Sequence, residues 1–363
     1  MLFTPEGSPA NDRSMGDDLK YLREIFPKHS RTFDFTTGRM RKSAPVTADV
    51  LMVDYSFCRI IDCLEDIKFD EDPIRDFEKR RAHMYLVIDA FQSGDPGKAQ
   101  AVTSFLKDVP AETPGYRELL DNTPTVIRVF KSLSQRTQDS TIRHGKEMAE
   151  GFSNPEVQNI RTLNDQLRYC YYAACKPGDM INDLFEEMGY FNHLSPTQKT
   201  EMWPLGHHFG IALQLTNNYK DTKKDIVDGR PKWPLVDIVQ KYGMRSYNDL
   251  IDPANKDRAM AALAEQISII LPYYESSIKY IDNLPFEPKG LRIFCGDALA
   301  MSAATIRAIQ SPDTFYSQDE VKITRDQVTD IDNIVSKLTK REQSPADFIR
   351  HLLVSPLDKY KAA

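Results

Sequence analysis

No apolar run in the 363-residue chain is long enough to cross a bilayer. The most apolar stretch of its C-terminal half, Ile267–Tyr274, is short and contains Pro272. No signal peptide is visible, and the closing Lys-Tyr-Lys-Ala-Ala holds no hydrophobic anchor, so no transmembrane segment and a cytoplasmic location are expected. A basic excess is also missing: the formal net charge is -6, which argues against a nucleic-acid partner. Cysteine is scarce. Cys58, Cys63, Cys170, Cys175 and Cys295 fit no common zinc spacing and read as small buried thiols in a reducing compartment. Tandem repeats, low-complexity linkers, a P-loop and a dinucleotide fingerprint are absent as well.

What is present is helical periodicity. Apolar residues recur at three- and four-residue steps, and few segments alternate like strands. The pattern predicts helices over residues 15–26, 48–67, 74–92, 99–107, 116–120, 124–153, 162–191, 197–228, 235–242, 256–284, 291–310, 325–341 and 345–354. Breaks such as Asp95-Pro96-Gly97 and Glu287-Pro288-Lys289-Gly290 separate several of them. No composition shift marks a domain boundary. The expectation is an all-α protein: residues 1–28 as a flexible N-terminal segment with a first helix, and residues 29–363 as one large helical domain.

Two polar stripes interrupt otherwise apolar helices. In the first, Tyr55, Arg59, Asp62 and Asp66 recur at helical spacing, with Glu65 beside them; Val53, Phe57, Ile60, Ile61 and Leu64 occupy most of the remaining surface. Such a helix should be largely buried, so its carboxylates need a partner or a wet cavity. In the second, Asn217, Asp221 and Asp225 stand four apart and project from one predicted face. Lys220 and Lys224 flank them, and Arg230 and Lys232 follow Gly229. The plainer reading of either stripe alone is a solvated charge ladder. Together, carboxylates that share hard cations and basic groups that receive phosphate oxygens are what a metal–diphosphate complex requires.

At these residues the chain resembles the squalene/phytoene synthase family. Asp62-Cys-Leu-Glu-Asp66 is similar to that family's first acidic motif, and Asn217-Asn-Tyr-Lys-Asp221-Thr-Lys-Lys-Asp225 to its second. Gly229-Arg230 through Trp233-Pro234 resembles the segment that follows. His29-Ser30-Arg31-Thr32-Phe33, Met148-Ala-Glu-Gly-Phe152, Tyr169-Cys-Tyr-Tyr172 and Phe294-Cys295 through Met301 supply further landmarks in the family's order. The resemblance implies an all-α isoprenoid-synthase fold with the two motifs across a cavity and a prenyl diphosphate as substrate. It implies Mg²⁺, with Mn²⁺ as a substitute, on Asp62, Glu65, Asp66, Asn217, Asp221 and Asp225. By the same resemblance Arg31, Arg59, Lys220 and Arg230 bind diphosphate. It also implies that Tyr55, Tyr169, Tyr172 and Phe294 stabilise the allylic cation through their π faces, with Tyr55 and Phe294 among the substrate-binding residues, and Tyr169 matches the catalytic tyrosine.

The sequence also departs from that family. After Tyr172 it reads Ala-Ala-Cys-Lys176-Pro177-Gly178-Asp179, where squalene synthases carry small and apolar residues, and Ala298 replaces an expected proline. Val321-Lys-Ile-Thr-Arg325 is only partly similar to a segment associated with NADPH. The departures imply that metal-assisted ionisation is kept and two-substrate coupling altered. The expectation is therefore cyclisation of one farnesyl diphosphate to a sesquiterpene, as in fungal humulene-synthase relatives. Head-to-head coupling of two farnesyl diphosphates, with NADPH as cofactor, is the alternative. A non-catalytic helical scaffold is the third reading, and the intact acidic motifs speak against it. Nothing in the residues indicates an oligomeric state.

Overall fold

Proline in the first turn and side chains that accept backbone N–H bonds start most of the helices. The computed structural model describes residues 15–317 and 321–355. The lead-in before Met15 and the chain end after Ser355 lie outside the described residues, as does the side chain of Arg31. The helices run α1 Met15–His29, α2 Arg31–Arg41, α3 Pro45–Glu65, α4 Pro73–Ser93, α5 Pro96–Leu106, α6 Pro114–Asp121, α7 Thr123–Lys131 and α8 Gln135–Phe152. They continue with α9 Pro155–Gln158, α10 Leu163–Cys170, α11 Lys176–Glu187, α12 Pro196–Lys220, α13 Thr222–Val227 and α14 Asn248–Ile251. The last are α15 Lys256–Asn283, α16 Gly290–Ile309, α17 Pro312–Phe315, α18 Arg325–Lys340 and α19 Ala346–Val354. The chain is all-α, as expected.

Local chemistry explains several boundaries. Asp72 caps α4 by accepting from the backbone N–H groups of Ile74 (3.0 Å) and Arg75 (3.1 Å). Thr162 with Asp165, and Ser195 with Gln198, form reciprocal capping boxes that start α10 and α12. The run predicted over 124–153 is two helices, because Ser134 leaves the helix and accepts from Thr137 N–H at 3.1 Å. The helix α2 was not anticipated; its polar run Thr-Thr-Gly-Arg carries little apolar periodicity.

The described residues fall into two compact units: Met1–Pro155 with Asp179–Tyr190, and Glu156–Gly178 with Phe191–Ala363. In the first unit α3 is the central helix. Val50, Met52, Val53, Phe57, Ile60, Ile61 and Leu64 are all fully buried, which the apolar surface around its polar stripe requires. Phe57 meets Phe91 at 4.9 Å, and a Cβ on Gly145 of α8 would lie 2.4 Å from the Phe57 ring.

In the second unit α12 packs against α15 and α16. Its buried polar seam links Thr216, Tyr274 and Ser302 by hydrogen bonds of 2.6–3.1 Å. Between α10 and α11 the helix expected over 162–191 continues without a break. Pro177 opens no gap; the helix runs on from α10 through a π-helical turn at Tyr171–Cys175 into α11, and the wider turn stands just ahead of the proline, whose ring can donate no helix hydrogen bond. A Cβ on Gly210 of α12 would sit 2.8 Å from the Ala174 carbonyl oxygen, so glycine permits the close approach of α12 to this turn. No described helix is long and apolar enough to cross a membrane.

Candidate functional site

The first acidic motif rides on the C-terminal half of α3. Arg59 organises it: the guanidinium bonds Asp62, donates to the Tyr55 hydroxyl at 2.9 Å, and lies over the Tyr55 and Tyr116 rings at 5.5 and 5.2 Å. Tyr55 is held in turn by Phe33 (4.9 Å) and Phe26 (5.5 Å). Beside them burial, helped by the Arg59 charge, pulls the His29 imidazole down to about 4, so that ring is neutral at neutral pH. Asp66 closes α3 as its C-terminal cap and is exposed, whereas Glu65 is buried and acts electrostatically on Arg80. The structure therefore brings Tyr55, Arg59 and Asp62 into one group and turns Glu65 toward the Arg80 side. Tyr116 is the member that sequence reading missed; its distance along the chain leaves no periodic signal. Arg31 opens α2.

The second motif is built at a helix junction. The predicted continuous helix 197–228 is interrupted at Asp221, which ends α12 and begins α13. The ladder nevertheless carries through: Asp221 N–H bonds Asn217 C=O at 2.8 Å, and Asp225 N–H bonds Asp221 C=O at 2.9 Å. Asn217, Asp221 and Asp225 thus remain one turn apart. Lys220 pairs with Asp221 at 2.5 Å, while Lys224 and Arg230 reach Asp228 at 3.2 and 3.3 Å.

After Gly229, whose φ of 76° a side chain would strain, the strap folds back. Arg230 N–H bonds the Asp225 carbonyl at 2.7 Å, and the Trp233 indole donates to Thr222 Oγ1 at 2.8 Å. That return places Lys232, buried at 9 % exposure, with its ammonium 3.7 Å from the centre of the Tyr169 ring. One face of the tyrosine therefore already carries a cation. The sequence placed Lys232 among the basic groups after the helix, but not on this ring. Phe294 is buried in α16.

The electrostatics of this group call for a cation. Burial, with Asp221 beside it, pushes the Asp225 carboxyl up to about 7, even though Lys232, Lys224 and Lys220 pull the other way. Carboxylates that repel one another in a partly dry place, with an amide oxygen one turn away, are a hard-cation donor set, so these residues fit Mg²⁺ or Mn²⁺. Asp221, Asp225 and Asn217 would hold it here, as Asp62 and Asp66 would on α3.

Among known proteins, the chain matches the squalene/phytoene synthase family over residues 26–327. It is 26 % identical over 343 residues to a squalene synthase of Schizosaccharomyces pombe, covering 91 % of this chain and 68 % of the relative. It is 31 % identical over 206 residues to squalene synthase BSS of Botryococcus braunii, covering 56 % of this chain and 43 % of that protein. A ligand complex of TcSQS superimposes with a TM-score of 0.72 at 20 % identity, covering 95 % of this chain and 99 % of that one. A dehydrosqualene synthase complex gives a TM-score of 0.59 at 18 % identity, covering 90 % and 98 %. At those identities the structures support the fold alone. With the family match spanning most of its length and both acidic motifs intact, the chain belongs to the squalene/phytoene synthase family of prenyl diphosphate enzymes.

Proposed function

We propose that the chain ionises farnesyl diphosphate with the help of divalent metal and closes the resulting cation on its own chain to give a humulene-type sesquiterpene. The observation that carries the ionisation step is the assembly, within one compact unit, of Asp221 and Asp225 with Lys220, Arg230, Lys232 and Tyr169. Lys220 and Arg230 receive diphosphate oxygens, releasing the acidic neighbours they now hold. Mg²⁺ bound by the acidic residues supplies charge neutralisation of the leaving group. The C–O bond then breaks with its electron pair on the diphosphate. The distal double bond supplies the pair for the new C–C bond, and loss of a proton balances the product. NADPH has no role in that reaction.

Support for closure on a single chain comes from the start of α11. Lys176, 4 % exposed, holds its ammonium 4.1 Å from the Tyr171 ring. By the family resemblance Lys176 and Pro177 stand where squalene synthases carry apolar residues of the coupling site, and a buried ammonium there leaves less apolar surface for two fifteen-carbon chains. A second reading, head-to-head coupling of two farnesyl diphosphates to presqualene diphosphate and, with NADPH, squalene, is favoured by the relatives. The named curated ones are squalene synthases, and they support coupling better than they support cyclisation. Products formed from farnesyl diphosphate and Mg²⁺, with and without NADPH, separate the two. A fifteen-carbon cyclic hydrocarbon made without NADPH supports cyclisation; a thirty-carbon product in either condition overturns it in favour of coupling.

A further inference from the structure

A second group of ligating side chains lies in the first compact unit, on residues outside both acidic motifs. On α8 His144 and Glu147 are one turn apart, and on the stretch 179–190 Asp179 and Asp183 are one turn apart. We propose that His144, Glu147 and Asp179 form a binding site for one divalent transition-metal ion such as Zn²⁺, with Asp183 as the carboxylate that orients the imidazole.

Distances set up the site. His144 Nδ1 is 3.3 Å from Glu147 Oε2 and 3.9 Å from Asp179 Oδ2, and one ligating atom from each of the three lies within 4.8 Å of the others. Two ligands at ordinary zinc bond lengths stand about 3–4 Å apart, so modest side-chain adjustment closes the set.

An independent feature fixes the imidazole. Its other nitrogen, Nε2, is 3.2 Å from Asp183 Oδ2. Asp183 is itself held by Ser140 Oγ at 2.5 Å and Arg143 at 2.6 Å. Arg143 also lies 3.0 Å from Nε2. A carboxylate on the remote nitrogen of a histidine is the arrangement that presents the near nitrogen to a metal.

Burial and charge agree with this assignment. The His144 and Asp179 side chains are only 9 % and 6 % exposed, whereas Glu147 is 42 % exposed and leaves a way in for an ion and a position for water. Three carboxylates outnumber Arg143 and, at most, one imidazolium. An imidazole among carboxylates suits Zn²⁺, Mn²⁺ or Co²⁺ better than Mg²⁺. Facing pairs on neighbouring helices are also how helical bundles build such centres.

The test uses the full chain, stripped with a chelator and returned to excess Mg²⁺ so that the acidic motifs are supplied. Zn²⁺ or Co²⁺ is then added, and bound metal is measured by equilibrium dialysis and by the visible absorption of Co²⁺. The assignment expects about one equivalent retained, and affinity lowered roughly 10- to 100-fold by Asp183→Asn and at least as much by Glu147→Gln. Asp62→Asn and Asp221→Asn should leave retention unchanged. Glu147 is partly exposed, so its variant should fold, and Zn²⁺ should raise Tm in the wild type more than in Glu147→Gln. No retention in the presence of Mg²⁺, or equal retention in wild type and in both Glu147→Gln and His144→Ala, would overturn the site and make the cluster an ion-pair network around a protonated histidine.

Discussion

Replacing Asp225 by asparagine should abolish turnover and yet stabilise the metal-free protein at alkaline pH. In the fold its carboxyl sits near 7 instead of the ordinary 3.8, because burial and Asp221 oppose its ionisation. At about 1.4 kcal/mol per pH unit this amounts to an upper figure of about 4 kcal/mol at pH 8, and water reaching the partly open site reduces it to roughly 1–3 kcal/mol.

The sign follows from proton linkage. Below pH 3.8 the group is neutral, folded or unfolded, and carries no penalty. As pH rises from there, the unfolded chain ionises first and stability is lost, completely so once pH passes about 7. Asparagine keeps the shape without the charge. In chelator at pH 8 Asp225→Asn should therefore unfold at higher urea than the wild type, and near pH 4 the difference should shrink toward zero. Both tryptophans, Trp203 and Trp233, lie in the compact unit that holds Asp225, so their fluorescence follows the relevant transition. Added Mg²⁺ should then stabilise the wild type more than the variant, while turnover of farnesyl diphosphate falls by orders of magnitude. A variant less stable than the wild type at pH 8 in chelator, or a stability difference independent of pH, would refute the account of Asp225 as a buried charge awaiting a cation.

Two further outcomes are expected. Arg230→Ala removes a charge-assisted contact worth about 1.5–3 kcal/mol, so pyrophosphate binding measured by calorimetry should weaken roughly 10- to 150-fold; unchanged binding would place the anion site elsewhere. Gly210→Val puts a Cβ 2.8 Å from the Ala174 carbonyl oxygen, a backbone atom that cannot swing away, and should cost about 1–3 kcal/mol or more in urea denaturation. A neutral result there would mean that the close approach of α12 to the π-helical turn is not needed.

Much of this protein is written locally. Helix positions follow from a 3.6-residue apolar period and from proline, serine, threonine and aspartate at the starts. Those are interactions within a few residues, and so α3, α4, α15 and α16 lie close to their expected ranges. Both acidic motifs were legible for the same reason: Asp62 with Asp66, and Asn217 with Asp221 and Asp225, are one-turn repeats on apolar helices.

Other features depend on residues that the chain brings together from far apart. The helix stop at Asp221, the π-helical turn before Pro177 and the division into two compact units carry no local composition signal. Tyr116 over Arg59, Lys232 over Tyr169, and His144 among Glu147, Asp179 and Asp183 join segments that no sequence period relates. Periodicity determines which face a side chain takes on its own helix. Which charge or ring waits opposite that face, and so which acid is forced up and which lysine is buried, is decided only by tertiary packing, because burial and Coulomb forces act through space and not along the chain.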